Sequence, residues 1–410
     1  MRGLEAAVGA VLDRRLSQSC NRPLAIGLSG GGDSVALALI ADAWATVERR
    51  PLLILTVDHG LRPQSPDWTE TCARFADRLG RPFLALPWTG EKPVTGLPAA
   101  ARNARHRLLA DAAREAEATV VMLGHTADDL LESQAMRRAG STTPDPREWA
   151  PSPAWPEGRS LFLLRPMLDI RRAALRAWLV GRGETWIEDP ANLDLKYARS
   201  RARREVSGDV PPARFEPPPL ALATHVTHRP GIIAIARAAV RECSPEDARR
   251  FVALASVCAG GGSRRPASAR IHRAAEALRG QETLTLTLAG ARLEADALEV
   301  RIFREAGEIA RGGLATITLQ PGRATVWDGR FELSTDRTGM DVSRLAGIAG
   351  RLPPAQRSWL RDLPPAARGS LPVLVSRDGA VSCPLLDGEA CSLIPDRFTA
   401  AAGLIDREPG

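Results

Sequence analysis

Short apolar runs alternate with helical patterns through the first two hundred residues. Leu24–Leu28, Leu52–Val57, Phe83–Leu86 and Val120–Leu123 are continuous apolar stretches of strand length. Each is followed by a segment of helical periodicity, at about Ser34–Arg49, Pro66–Leu79, Pro98–Ala118 and Ala127–Arg138. Strands that are apolar without alternation are buried on both faces, so the pattern predicts an α/β fold: a Rossmann-like parallel sheet covered by helices. Ahead of the first strand, Met1–Leu16 mixes apolar positions with Glu5, Asp13, Arg14 and Arg15. That reads as an amphipathic helix, not as a signal peptide.

Beyond Arg138 the regularity changes. Ser141–Arg159, rich in Pro, Trp, Ser and Thr, reads as a long loop or flap, and a helix follows at about Ile170–Val180. Prolines at 211–212 and 217–219 mark a boundary near residue 215. Helical patterns then run from about Ile232 to Leu278, and Thr283–Leu288 alternates strictly, as a half-exposed strand should. Leu298–Phe303 would complete a hairpin with it. Short strands at Thr316–Leu319, Thr325–Trp327 and Phe331–Leu333 lie among proline-rich turns. The expected division is a catalytic domain over 1–215, a mostly helical domain ending in a hairpin over 216–310, and a small α+β domain over 311–410.

In open parallel sheets ligands bind at the carboxyl ends of the strands. Here those ends carry Ser29-Gly30-Gly31-Gly32-Asp33-Ser34, Asp58-His59-Gly60 and Gly124-His125. Three glycines opening a helix let backbone N–H groups approach a phosphate, and the helix start adds partial positive charge. Ser29 and Ser34 supply hydroxyls, and Asp33 can hold the Mg2+ that accompanies a triphosphate. A tight strand-to-helix turn would also use glycine, but it has no need of the flanking serines and the aspartate. No lysine follows the glycines, which excludes a Walker loop. After the fourth strand come Asp128, Asp129 and Glu132. Asp129 and Glu132 project from one helical face, and Asp128 shares that side with Glu132. Such acids can hold magnesium or an ammonium group, or merely complement the helix dipole.

Charge and cysteine content narrow the class. The 410 residues carry a net charge of +7, almost wholly from arginine, since Lys92 and Lys196 are the only lysines. Guanidinium groups suit phosphates. Arg199, Arg201 and Arg203 alternate in a basic run that could meet phosphates, or else form a solvated loop. Arg102 and Arg105, three apart on one helix, can neutralise an α-phosphate or a carboxylate. The six cysteines are scattered without a C-x-x-C pair, against a disulfide framework or zinc knuckle. No apolar run is long enough to span a bilayer. His225 and His228 have no thiol or carboxylate partner nearby, so surface histidines are the simpler reading. Trp149 and Trp155 could stack on a base, but loop packing is the simpler reading.

The S-G-G-x-D-S pattern resembles the PP-loop of N-type ATP pyrophosphatases, which split ATP between the α and β phosphates. Gly124–Glu132 is similar to the G-H-x-x-D-D-x-x-E element of the tRNA(Ile)-lysidine synthetases. Further matches follow in order: Val57–Arg62, Ala101–Arg105, Arg138–Ser141, Arg165–Leu168, Asp189–Asp194 and Tyr197–Arg203. Val326–Phe331 and Trp359–Pro364 match more weakly. Thr126, Leu130, His106 and Ser200 depart from the family pattern, as does the proline-rich segment after Ser141.

The resemblance implies ATP and Mg2+ as cofactors, and free L-lysine and a CAU-anticodon tRNA(Ile) as partners. The reaction it implies is adenylation of the wobble cytidine followed by attack of lysine. It implies catalytic roles for Asp33, Asp128, Asp129, Glu132 and Arg102, with magnesium on Asp33 and Asp128. ATP would meet Ser29–Ser34, His59 and His125; lysine would meet Asp129 and Glu132. The tRNA would meet Arg105, Arg138, Arg199, Arg201 and Arg203. A cytoplasmic enzyme is expected; the sequence leaves the oligomeric state open, a homodimer included. The alternative is a PP-loop tRNA thiolase, but Cys72 is the only cysteine in the catalytic half downstream of the loop. An amide synthetase of the NAD or GMP type would not need the extra domains, and a catalytically dead RNA-binding module would not need the acids.

Overall fold

The four apolar runs form the expected parallel strands: β1 (Leu24–Gly27), β2 (Leu52–Asp58), β3 (Phe83–Pro87) and β4 (Val120–Leu123). Between them stand α2 (Gly32–Val47), α3 (Ser65–Arg78) and α4 (Leu97–Glu115), with α1 (Arg2–Arg15) ahead and α5 (Ala127–Arg138) behind. The computed structural model describes residues 2–141, 144–190, 198–206, 216–307 and 313–410. Ala191–Asp194, Tyr197 and Pro211–Pro212, singled out above, lie outside them.

The proline-rich segment is more ordered than its composition predicts. Trp149–Pro151 is an edge strand, β5, antiparallel to β6 (Phe162–Leu164), which itself runs parallel to β4. The packing is specific: Trp149 stacks on Phe162 at 4.8 Å and donates its indole N–H to the Ile405 carbonyl at 2.9 Å. Trp149 is therefore a packing residue, not a base-stacking one. The sheet order is β3-β2-β1-β4-β6-β5. Chain direction along the order reverses between β1 and β4, and crevices open at such switch points. Leu109, Ala110 and Ala113 of α4 bury against Leu53, Leu55, Val121 and Leu163. That contact fixes α4, and with it Arg102, Arg105 and His106 in the turns before the contact. Two more helices complete the unit: α6 (Arg172–Val180) and α7 (Ala198–Glu205). The basic run is thus helical, so Arg199 and Arg203, four apart, share a face that Arg201 does not.

The chain forms two compact units, 1–217 with 405–410, and 218–404. In the second unit the segment from Ile232, expected to be helical, begins as a strand. β7 (Val226–Arg229), β8 (Ile232–Ala236), β9 (Leu284–Leu288), β10 (Ala291–Ala295) and β11 (Glu299–Arg304) make an antiparallel sheet in the order β7-β8-β11-β10-β9. The cause lies in two cores. Ile233 and Ile235 pack into one with α8 (Arg237–Glu242), α9 (Pro245–Ala259), α10 (Ser268–Arg279) and the later α13 (Ile394–Ala402). Ile232 and Ala234 face the other, with Phe303, Trp327 and Phe331. A strand apolar on both faces loses the alternation by which strands are recognised. The second core also holds two small sheets and the short helices α11 (Pro354–Leu360) and α12 (Pro365–Arg368). His228 packs edge-on against Phe398 at 6.0 Å, with no metal partner among the described residues. No described helix is long and apolar enough to cross a membrane.

Residues 405–410 belong to the first unit, and a buried ion pair helps to hold them there. Glu408, with its side chain fully buried, accepts from Arg50 Nη2 at 2.6 Å, from the Ser17 N–H at 2.9 Å and from Thr119 Oγ1 at 3.3 Å. Removing one partner of such a pair strands the other charge, a loss of about 3–5 kcal/mol. Glu408→Ala is expected to lower the urea midpoint of the full chain accordingly; an unchanged midpoint would show that the tail anchors nothing.

Candidate active site: a PP-loop crevice with two charge clusters

The glycine loop joins β1 to α2 and folds against three neighbours. Gly30 has φ +78°, and a Cβ there would lie 2.4 Å from Ile187 Cδ1, whose residue donates its N–H to the Gly30 carbonyl at 2.9 Å. Ser34 Oγ accepts the Ser29 N–H at 3.2 Å and donates to the Gly31 carbonyl at 2.8 Å, closing the loop on itself. Gly124 is required by approach, not by φ: a Cβ would stand 2.9 Å from the Asp33 carbonyl oxygen. The ends of β1 and β4 are thereby pressed together at the switch point.

A cavity of about 490 Å3 opens there. Ser29, Gly31, Gly32, Asp33, Ser34, His59, His125, Arg105, Asp129, Arg199 and Arg203 all line it. Gly30 does not line it, and neither do Arg102, Asp128, Glu132, Arg138 and Arg201.

The acids form a neutralised cluster whose hub the sequence reading missed. Arg172, the first residue of α6, donates from Nε to Asp33 Oδ2 at 2.9 Å and from Nη1 to Glu132 Oε1 at 3.1 Å, and its Nη2 lies 3.6 Å from Asp129 Oδ1. Burial opposes its charge, but Asp33 and Asp129 outweigh burial and raise its pKa. Glu132, 1% exposed, also accepts from Arg199 Nε and Arg203 Nε, each at 2.7 Å. Asp129 pairs with Arg199 through Oδ1 and caps α5 through Oδ2, which accepts the Thr126 N–H at 2.7 Å. A signal for Arg172 was present: Arg171-Arg172 stands at a helix start, where the macrodipole favours acids.

Asp128 corrects an expectation. Its Oδ1 takes Arg171 Nη2 at 3.0 Å, and its Oδ2 accepts the Arg172 N–H at 2.7 Å, so it holds the start of α6 instead of facing the cavity. Asp33 differs: burial, opposed by Arg172, holds its carboxyl above the usual range, and its Oδ1 is buried without a hydrogen-bond partner. That oxygen fits a cation. No cluster of three or more His, Cys, Asp or Glu side chains suited to a metal occurs among the described residues. Asp58 shapes the turn after β2, accepting the Gly60 N–H at 2.8 Å and the Ser65 hydroxyl.

The other cluster is cationic and unbalanced. Arg102 and Arg105 on α4 and Arg165 after β6 form no ion pair among the described residues. Arg165 donates from Nη1 to the Arg147 carbonyl at 2.8 Å, while its Nε, Arg105 Nε, His125 Nδ1 and both His106 nitrogens are buried without partners. Burial and the neighbouring guanidinium groups push Arg105 down to about 10, Arg165 to about 9 and His106 to about 2, and hold His125 well below its ordinary value. Burial and then Arg105 lower His59 too. Cys72 lines the cavity, but burial raises its thiol pKa, which leaves it a poor nucleophile.

A glycine loop at a switch point, opening a helix beside an acid cluster, defines a PP-loop ATP-using protein; the PP-loop domain model matches residues 5–210. The tRNA(Ile)-lysidine synthase of Caulobacter vibrioides is 49% identical over 412 residues, covering 98% of each chain. That of Rhizobium meliloti is 33% identical, covering 88% of this chain and 83% of its own. The chain belongs to the tRNA(Ile)-lysidine synthase family of PP-loop enzymes. Among solved structures, a U34-tRNA thiolase from Methanococcus maripaludis matches half of this chain at 15% identity, with a TM-score of 0.41.

Gly124→Ala is expected to weaken ATP binding about tenfold or more, because a new methyl against rigid backbone costs about 1–3 kcal/mol. Gly9→Ala, whose Cβ would meet nothing within 4 Å at an ordinary helical φ, is expected to leave ATP affinity unchanged. Isothermal titration with a non-hydrolysable ATP analogue compares the two; equal affinities would refute the close-approach account.

Proposed function

We propose that this chain ligates free lysine to C2 of the wobble cytidine of a CAU-anticodon tRNA(Ile), using ATP. The reading is carried by one observation: residues of the PP-loop, Asp33 among them, and Asp129 line the same cavity, and Asp33 Oδ1 has no hydrogen-bond partner. The names and extent of the matched relatives support the choice of substrate. In the first step the cytosine C2 oxygen attacks the α-phosphate of ATP, and the α–β bond breaks to release pyrophosphate. In the second the ε-amine of lysine attacks C2, loses a proton, and expels AMP together with that oxygen. Magnesium on Asp33 would offset charge on the triphosphate and the departing pyrophosphate. Loop N–H groups and Arg172 act on the same phosphates. The reaction is assigned to the cytoplasm, where tRNA, ATP and lysine meet.

Asp129, which lines the cavity, is the carboxylate assigned to the lysine ammonium, which must displace the Arg199 guanidinium to reach it. Glu132 acts through its arginines and is a positioning residue. Arg201 and Arg138 are exposed, Arg138 beside Glu205 at 3.7 Å, and we assign both to tRNA phosphates.

Asp129→Asn keeps an oxygen for the helix cap but removes the charge. A charge-assisted contact of about 1.5–3 kcal/mol corresponds to about a 10- to 150-fold loss of lysine incorporation, partly rescued at high lysine. The tRNA-dependent ATP–pyrophosphate exchange should fall much less; if both fall together, Asp129 serves the phosphates and not lysine.

Counterion release makes tRNA binding salt-dependent. Arg201→Ala and Arg138→Ala should each weaken binding and flatten the plot of log affinity against log salt by about one unit. Filter binding across a salt series tests this; unchanged slopes would leave those arginines as solvated surface.

A further inference from the structure

The chain leaves the first unit after residue 217 and re-enters it at 405, and both connectors end on the same two side chains. Arg15 closes α1, where the helix dipole favours a cation. It donates from Nη2 to Glu216 Oε2 at 3.3 Å and from Nη1 to the Asp406 carbonyl at 2.6 Å, and its own carbonyl accepts the Glu408 N–H at 2.7 Å. Its Nε donates to Glu148 Oε1 at 2.7 Å. Glu148 is 1% exposed; its carboxylate also accepts from Arg14 Nη2 at 2.8 Å, and its N–H donates to Glu216 Oε1 at 3.3 Å. Trp149, the next residue, donates to the Ile405 carbonyl. A buried carboxylate stranded without cations is costly. Glu148 therefore gathers α1, the outgoing connector and the returning one at a single point.

That point adjoins the crevice through Arg165. The register of β5 on β6 pairs Trp149 with Leu164, so Arg165 faces Glu148 at the end of the ladder. The Arg165 N–H donates to the Glu148 carbonyl at 2.8 Å. Its guanidinium has one hydrogen-bond partner among the described residues, the Arg147 carbonyl at 2.8 Å. The backbone at 147–148 thus decides where this guanidinium sits. Arg165 is 6% exposed and stands behind the cavity wall. After burial itself, its charge does most to keep His125, a wall residue, neutral.

We propose that Arg15 and Glu148 are positioning residues for the reaction: they seat both connectors on the backbone that holds Arg165, so the crevice is fully formed only while the connectors are seated. The proposal rests on the lysine-ligating reading above. A load placed on either connector, as when a tRNA is gripped beyond it, reaches the crevice through one buried carboxylate. The pairing of β5 with β6 alone cannot do this, because it begins at Trp149 and leaves residues 147–148 to the side-chain network.

Glu148→Gln keeps the shape of the side chain and removes the charge that holds both arginines. In the full chain, with ATP, labelled lysine and a CAU-anticodon tRNA transcript, it should lower kcat about 10- to 100-fold at a nearly unchanged KM for ATP. That is the scale of loss when a remote change misplaces a group by about 1 Å. Arg15→Gln should act alike. The decisive comparison is a double-mutant cycle of Arg15→Gln with Arg165→Gln. If Arg15 acts through Arg165, the double variant is no slower than Arg165→Gln alone. Losses that multiply would make the network an independent fastening and overturn the proposal. So would an unchanged kcat in folded Glu148→Gln, or a loss of ATP-analogue affinity equal to the loss of kcat, which marks general loosening. If thermal melting shows that Arg165→Gln does not fold, Arg165→Lys, which keeps the charge and loses the fork, takes its place in the cycle. If Glu148→Gln does not fold, Glu216→Gln, at an exposed position, breaks the same seat from the connector side. A wild-type chain that binds ATP but incorporates no lysine would fail the ligation reading itself, a separate outcome.

Discussion

Three carboxylates are held around one guanidinium, and the site depends on that arrangement. Asp33 comes from the glycine loop, Asp129 and Glu132 from the helix after β4, and Arg172 from the helix after β6. Acids drawn from separate elements would repel one another in a partly buried crevice. A single planar cation reaching all three converts that repulsion into a fastening between elements. The helix bearing Arg172 must therefore be fixed in turn, and Asp128 does this by taking the Arg172 N–H and the Arg171 side chain. An acid expected to carry a metal instead holds the residue that organises the others.

The parallel sheet and its ligand end were legible because buried strands are continuous apolar runs and glycine loops have few other uses. Ser29, Gly31, Gly32, Asp33, Ser34, His59, His125 and Asp129 line one cavity, whereas Gly30 does not. Other features were not legible, for physical reasons. Ile232–Ala236 serves two cores at once, so it carries no alternation. Arg199, Arg201 and Arg203 read as one alternating basic run, but four-residue spacing on a helix turns Arg199 and Arg203 to Glu132. Arg172 and Arg165 lie far in sequence from the motifs they serve. Only tertiary structure shows which arginine meets an acid and which is left without one.

The separation of compensated from uncompensated arginines gives a high arginine content a meaning that net charge conceals. Arg172, Arg199 and Arg203 are neutralised within the fold and add little to the field outside. Arg165 is deeply set, Arg105 lines the cavity and Arg102 is half-exposed beside them. Long-range attraction for a polyanion is left to exposed guanidinium groups.

The Arg50–Glu408 pair sets an order on how the molecule is made. During synthesis the first two hundred residues emerge early, and amino-terminal domains generally begin folding first. Yet that unit is short of one buried carboxylate until residue 408 has left the ribosome, since Glu408 is the carboxylate paired with Arg50 among the described residues. Between those moments the whole of the second unit is translated. A polypeptide interrupted anywhere in that interval contains every catalytic motif and still has an unpaired cation in its core. Such a fragment lacks the stabilisation that the pair supplies, about 3–5 kcal/mol for a stranded buried charge.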